Sequence, residues 1–471
     1  MPKDMRTFMN QVLVERPGEI LVVEEEVDPK FGVTGIAAKL ANENRFPAVF
    51  CRKVKGSKVP LIINLTATYE RLALALDTTL DKMVPDYANR PIIQMPPKTV
   101  NKSDAPIKEV ILKGDEAKLS VLPITTHNEF DAGAYISSGA LISKDPDTGE
   151  VNAGVYRLQI QGDQNIGVWF LGTHHGAYIQ QRYEELNKEM DVAIVIGHHP
   201  AFVMAAISRL VGTGGEFEEA GSLLGEPVEV VSGETVNLPI PAQAEIVIEG
   251  KISPGVRANE GPFAEWPGTY AEEGFKPVIK VTAITMRKDA IYYDLFSSNL
   301  EHNVLASLPR MGTIYRAAKQ HVPGITNVNT PSHSRMHCYI SMKKRNEMEV
   351  KRAAMAAYLV ESHNLKMVVA VDDDIDVFND ADVLWAIGTR CHFEKDLMVI
   401  PDWSGPGGTN PGGYQFHPDG TRTPIMTTAL IVDATKPAPP IPYPPRAKVP
   451  QKIVDKVNLA KTVKELKDFR F

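Results

Sequence analysis

The chain has 471 residues, 43% of them hydrophobic and 23% charged, and its 51 basic against 58 acidic side chains give a formal net charge of −7. That length is enough for about three domains, each with its own core, and the acidic balance argues against nucleic acid as a partner, which would call for a basic face. No apolar run approaches the roughly 18 residues that span a bilayer, the N-terminus lacks the apolar segment of a secretory signal, and the scattered Cys51, Cys338 and Cys391 make no pair motif, which suits a reducing cytoplasm.

Residues 1–110 read as an N-terminal α/β domain. An amphipathic helix over Asp4–Glu15 precedes a strand at Ile20–Val27, a helix over Gly35–Asn44, strands at Ala48–Val54 and Leu61–Leu65, and a helix over Thr68–Leu76. Asn89–Pro106, with four prolines, reads as a loop and a domain boundary.

Residues 111–300 are rich in strands and predict a central barrel-like antiparallel domain. Gly154–Gln161 and Ile166–Leu171 flank the turn Gly162–Asn165, a hairpin signal. Alternation puts Tyr156, Leu158 and Ile160 on one face and Arg157 on the other, with Val155 and Gln159. Strands follow at Val192–Ile196, Val228–Val231, Ala244–Glu249, Val278–Met286 and Ala290–Leu295, the last two joined by the tight turn Arg287–Asp289. One helix, Gly176–Lys188, interrupts them.

Residues 301–435 alternate as βαβ units: helix Leu305–His321, strand Cys338–Met342, helix Asn346–Asn364, strand Met367–Val371, helix Ala381–Thr389 and strand Leu397–Ile400. Lys436–Pro450, dense in proline, predicts an extended strap. Gln451–Phe471 predicts a helix that packs on a second subunit.

Several segments carry candidate chemistry. In Asn259–Gly268, Gly261 and Pro262 exclude a helix, so Glu260 and Glu265 fall on an ordered loop beside Phe263 and Trp266. Desolvation and mutual repulsion raise the pKa of one such carboxyl, which suits a general acid, and an arginine would keep the other ionised. The bland reading is two solvated acids, with Arg157 a surface ion pair. His174-His175 precedes a helix, and adjacent histidines point apart, so one of them is available to a metal; His198-His199 repeats the dipeptide. Gly212–Glu216 exposes backbone N–H groups but lacks the phosphate-loop lysine, and Gly405–Gly413 fits no dinucleotide fingerprint.

Together these segments resemble the UbiD-like family of reversible decarboxylases that use prenylated FMN, over about residues 10–435. Asn152…Arg157 is similar to its N-x-x-x-x-R, Glu260-Gly-Pro-Phe-Ala-Glu265 to its E-G-P-[FY]-x-[ED], and Glu216 with Ala220, Gly221 and Gly225 to its acidic loop. Asp372-Asp373-Asp374 with Trp385 and Thr389-Arg390 resembles its C-terminal block, ending at Asp433-Ala434-Thr435. The resemblance implies a flavin-reductase-like split β-barrel between two α/β domains, and decarboxylation of an aromatic or α,β-unsaturated acid with release of CO2. It assigns Arg157, Glu260 and Glu265 to catalysis, Glu265 being the proton donor. Asn152, His175 and Glu216 become ligands of Mn2+ (or Mg2+), with Gly154, Val155, Tyr156, Arg157 and His174 also lining the cofactor.

It further implies K+ near Ala153, Ala206, Ser208 and Glu216, substrate recognition by His302 and Arg335, a flavin prenyltransferase as cofactor supplier, and a homodimer or a larger homo-oligomer such as a hexamer. One departure stands out: where relatives often carry a phosphate-binding lysine, this chain has Ala429. Two other readings compete, a metal-dependent hydrolase built on His175 and Glu216 and a non-catalytic flavin-handling protein.

Overall fold

Asp4 accepts from the Thr7 backbone N–H while the Thr7 hydroxyl reciprocates, a capping box that starts helix Met5–Glu15 and turns Met5, Phe8 and Val12 into the core. The computed structural model describes residues 2–90, 95–172, 174–208, 215–271, 273–362, 364–403, 414–416, 422–424 and 426–459. It is a mixed α/β protein whose centre is a curled nine-stranded sheet.

The N-terminal sheet has four strands, ordered Ile20–Val27, Ala48–Val54, Leu61–Ile63 and Tyr292–Asp294. The fourth overturns the hairpin expected around Arg287–Asp289: Tyr292–Asp294 leaves the central sheet and pairs parallel with Leu61–Ile63. Its alternative edge was already filled, because Val110–Lys113 pairs with the C-terminal end of Gly274–Met286. Helix Leu80–Asn89, with Pro85 inside it, was not expected; its buried Met83, Val84 and Tyr87 outweigh the missing N–H.

The central sheet runs Tyr135–Ile136, Leu158–Ile160, Asn165–Val168, Gly274–Met286, Ile246–Glu260, Met190–Ile196, Ala140–Lys144 and Val151–Val155, with Val110–Lys113 as a ninth strand. The two longest strands, Ile246–Glu260 and Gly274–Met286, pair antiparallel with register shifts after Glu249 and after Ile252. Bulges of this kind bend a sheet and increase its twist. The pair ends at Glu260 opposite Gly274, which delivers Glu260 to the rim.

The C-terminal sheet is ordered Ile325–Asn329, His337–Met342, Met367–Asp372, Thr427–Ala434 and Leu397–Trp403, with the three central strands parallel. Helix Leu300–His321 packs between this sheet and the N-terminal part: the buried Glu301 carboxylate accepts from the Asn64 and Thr66 N–H groups. The Asp372–Asp374 block proves structural here. Arg390, its side chain buried, bonds Asp372 at 2.6 Å and grips Asp374 with two bonds of 2.9 Å. Residues 436–450 form neither helix nor strand. Tyr443 and Arg446 hold this strap to helix Asp380–Arg390 through the Thr389 carbonyl and Asp382. Of the expected terminal helix, Gln451–Val454 is helical, and residues 460–471 lie outside the described residues, as do 209–214 and 404–413 with their glycine-rich runs.

Candidate functional site

The strand expected to run unbroken through Arg157 is interrupted. Val151–Val155 and Leu158–Ile160 are separate strands, and Tyr156 and Arg157 turn between them. This break replaces strict alternation: Tyr156, Arg157, Leu158 and Gln159 are all buried. Arg157 is therefore not a surface ion pair. Its Nε and Nη2 donate to Glu260 Oε2 at 3.1 and 2.5 Å, its Nη1 lies 3.5 Å from Glu265 Oε1, and its guanidinium rests 4.1 Å from the Trp169 ring centroid.

Glu260 is the last residue of its strand rather than a loop residue, and it has no solvent exposure. Gly261 then turns at φ 94°, a backbone angle that side chains other than glycine rarely adopt, and its N–H donates to Gln159 Oε1 at 3.1 Å. Burial pushes the Glu260 carboxyl above the usual glutamate range, and the Arg157 guanidinium opposes that shift. Glu265 follows the two-residue strand Phe263–Ala264 and is about one-third exposed, so the two acids sit in different environments. The loop is clamped from residues 131–132: Ala132 N–H donates to Pro262 O at 2.9 Å, and Ala264 N–H to Asp131 Oδ1 at 2.8 Å.

A second cluster adjoins. Glu216 begins helix Glu216–Leu224, and its carboxylate accepts from Asn152 Nδ2 at 3.0 Å and the Ala153 N–H at 3.1 Å. Asn152 Oδ1 is buried with no hydrogen-bond partner, as an oxygen awaiting a cation would be. Burial raises the Glu216 carboxyl, and His175, the first residue of helix His175–Glu185, lowers it electrostatically. His174 is the N-cap of that helix, its ring 6.0 Å from that of Tyr156. Among the described residues no three His, Cys, Asp or Glu side chains stand close enough to hold a metal by themselves. A metal here would draw on Asn152 and on oxygens from outside the chain, and this oxygen-rich donor set fits a hard divalent ion.

Tyr156 explains both nearby glycines. A Cβ on Gly176 would stand 2.3 Å from the Tyr156 hydroxyl, and one on Gly154 would stand 2.6 Å from it. Val155 is half-buried at the strand end, with Gly154 buried. Ala206 ends the buried face of helix Pro200–Ile207, and Ser208 is its C-cap. The His198–His199 pair is a core feature: burial drops the two rings to about 4 and about 3, so both stay neutral.

Arg335 packs against the Glu265 loop, and His302 feels the charge of Arg335. Arg335 is 6% exposed, lies 4.5 Å over the Trp266 ring, and has a buried Nε without a partner. Burial and Arg310 pull its guanidinium below the usual arginine range, while Glu265 opposes them. His302 accepts the Ser298 N–H at Nδ1 (3.3 Å), which leaves the proton on Nε2. Burial and Arg335 push it down to about 3. Ala429 is sealed in strand Thr427–Ala434 and leaves no room for a reaching cation. Residues that sequence reasoning did not single out also belong here: Tyr135, Trp169, Asp131 and Lys276, whose ammonium lies 3.7 Å from the Trp169 centroid. None of them belongs to a motif or shares a spacing with one; of the remaining site residues Gln159 carried a signal, its common face with Arg157.

Family models match three stretches: residues 13–90, 98–299 and 303–407, described as the N-terminal, Rift-related and C-terminal domains of 3-octaprenyl-4-hydroxybenzoate carboxy-lyase. The chain belongs to the UbiD family of carboxy-lyases. It is 34% identical to anhydromevalonate phosphate decarboxylase of Methanothermobacter thermautotrophicus, across 92% of this chain and 97% of that one. It is 32% identical to phenolic acid decarboxylase of Sedimentibacter hydroxybenzoicus, across 94% of this chain and 93% of that one. The UbiD-class enzyme HmfF from Pelotomaculum thermopropionicum, solved with FMN, superposes with a TM-score of 0.88 at 32% identity, covering 98% of this chain and 100% of that one. An evolved dimeric form of HmfF, solved with prFMN, gives 0.85 at 32% identity, covering 98% of this chain and 100% of that one. Relatives named as decarboxylases leave the hydrolase and the non-catalytic readings without support.

Proposed function

We propose that the chain decarboxylates an aromatic or α,β-unsaturated carboxylic acid, reversibly and without net oxidation, with prenylated FMN, which the Arg157 cluster and the Asn152–Glu216 pair would hold. The observation that carries this reading is the buried Arg157–Glu260 ion pair with Glu265 about one-third exposed beside it. Bound prenylated FMN supplies the electron sink that decarboxylation at an sp2 carbon requires. Arg157 keeps Glu260 ionised and orients the substrate carboxylate. Glu265, nearer solvent and next to Trp266, returns the proton to the carbon that loses CO2. Trp169, Phe263 and Trp266 exclude water from the reacting carbon.

Asn152, His175 and Glu216 would hold Mn2+ or Mg2+, which would supply positive charge to the anionic part of the cofactor, with His174, Tyr156, Val155 and Gly154 around it. Ala153, Ala206 and Ser208 with Glu216 supply a K+ site. The Nε2–H of His302 and the guanidinium of Arg335 meet acceptor groups on the far side of the substrate. A phenolic acid offers such acceptors, and so does an acid bearing a phosphate, the two substrate types named among the relatives. A flavin prenyltransferase supplies the cofactor, the strap and terminal segment join a second copy, and the chain works in the cytoplasm as three domains, 1–110, 111–300 and 301–435. No helix among the described residues is long and apolar enough to cross a membrane.

The test is to produce the chain with a prenylating partner and measure CO2 release from a panel of phenolic, heteroaromatic and phosphorylated unsaturated acids. Turnover of one class, lost in Glu265→Gln, supports the reading. Flavin-loaded protein inert toward the whole panel overturns it.

A further inference from the structure

Glu260 is held on one oxygen only. Arg157 donates twice to Oε2, while Oε1 is buried without a hydrogen-bond partner. Such an orphan acceptor is costly on a charged group. The phenol of Tyr135 stands against the same turn. Tyr135 is fully buried and lies directly opposite Gln159 across the strand pair, so the two side chains share a face. Gln159 already reaches the turn through the Gly261 N–H. The Tyr135 ring is seated 4.5 Å from the Phe263 ring. Its hydroxyl makes a long 3.3 Å hydrogen bond to Pro262 O, a carbonyl that the Ala132 N–H serves at 2.9 Å without it. The hydroxyl thus stands on a carbonyl that is already satisfied, beside a carboxylate oxygen that is not.

We propose that Tyr135 is a positioning residue for Glu260, its hydroxyl donating to Oε1 and completing the carboxylate's shell opposite Arg157. Burial and the neighbouring Glu260 charge hold the phenol far above its usual range, so it remains a donor throughout the working pH. The charged groups facing Glu260 are Arg157, Glu265 and Lys276; of these the two cations favour the ionised form and Glu265 opposes it. A hydrogen bond from Tyr135 adds to the first side, since a donor to the charged form lowers a carboxyl pKa.

Tyr135→Phe removes the hydroxyl and keeps the ring. In this variant the acidic limb of kcat moves up by about one pH unit while KM at the optimum is unchanged. In cofactor-free protein, the protonated-carboxyl infrared band assigned by its absence in Glu260→Gln persists to a pH about one unit higher. Site-specific 3-fluorotyrosine at position 135, a stronger donor on the same ring, moves limb and band down, and serves if the phenylalanine variant does not fold. A band that stays where the native one is overturns the proposal. The kinetic arm rests on the decarboxylase reading and the infrared arm does not, so a shifted band in a chain without turnover overturns that reading alone.

Discussion

Replacing Arg157 by methionine keeps an apolar stem against Trp169 and removes both donors to Glu260 Oε2, leaving a carboxylate of zero exposure without its arginine. The loss of two hydrogen bonds to a charge amounts to about 3–6 kcal/mol in full. The carboxyl escapes part of this by taking a proton. Protonating a glutamate of ordinary pKa costs about 1 kcal/mol at pH 5 and about 4 kcal/mol at pH 7, which caps the destabilisation. The sign follows from linkage: burial already raises Glu260 in the folded chain, and without Arg157 it rises further. The variant is therefore close to native stability below the unfolded-state pKa and loses stability as pH climbs from there to the new folded pKa. Denaturant unfolding at pH 5 and pH 8 measures the difference, and decarboxylation falls by about 10²–10³-fold because a preorganised charge is gone. Equal destabilisation at the two pH values would refute the argument that Glu260 neutralises.

Glu265→Gln abolishes turnover while flavin absorbance is retained; undiminished CO2 release removes Glu265 as proton donor. His175→Ala loses manganese and flavin together by metal analysis and absorbance, and unchanged occupancy moves the ligand to His174. Gly176→Ala drives a Cβ to 2.3 Å from the Tyr156 hydroxyl, so it lowers stability by about 1–3 kcal/mol and reduces cofactor occupancy; adding Tyr156→Phe restores part of both, and no rescue in the double variant sinks the steric account. Arg335→Met raises KM severalfold more than it lowers kcat for an acid with a distal acceptor, and the same KM as the native chain excludes it from substrate binding.

Much of the local structure was legible because its causes are local. The strands Ile20–Val27 and Ala48–Val54 fall where alternation and β-branched residues put them, and Thr68 caps the helix Tyr69–Ala75 as its sequence position suggests. Helix Leu80–Asn89 was missed because Pro85 argues against it locally while the core contacts of Tyr87 and Val84 argue for it from outside the segment. The bland reading of Arg157 as a surface ion pair on a continuous strand fails, since the strand breaks at this residue and its carboxylate partner lies about a hundred residues away in the chain.

The sequence by itself singled out the side chains proposed to carry the chemistry: an arginine, two glutamates, an asparagine and a histidine in spaced motifs whose types suit proton transfer and a hard cation. The tertiary structure alone decided their states. The break between Val155 and Leu158 turns Arg157 inward, the curled pair Ile246–Glu260 and Gly274–Met286 brings Glu260 beneath it, and the buried phenol of Tyr135 meets the same turn without any motif to announce it. Residue type sets what a group can do, but burial and the neighbours brought by distant strands set its charge.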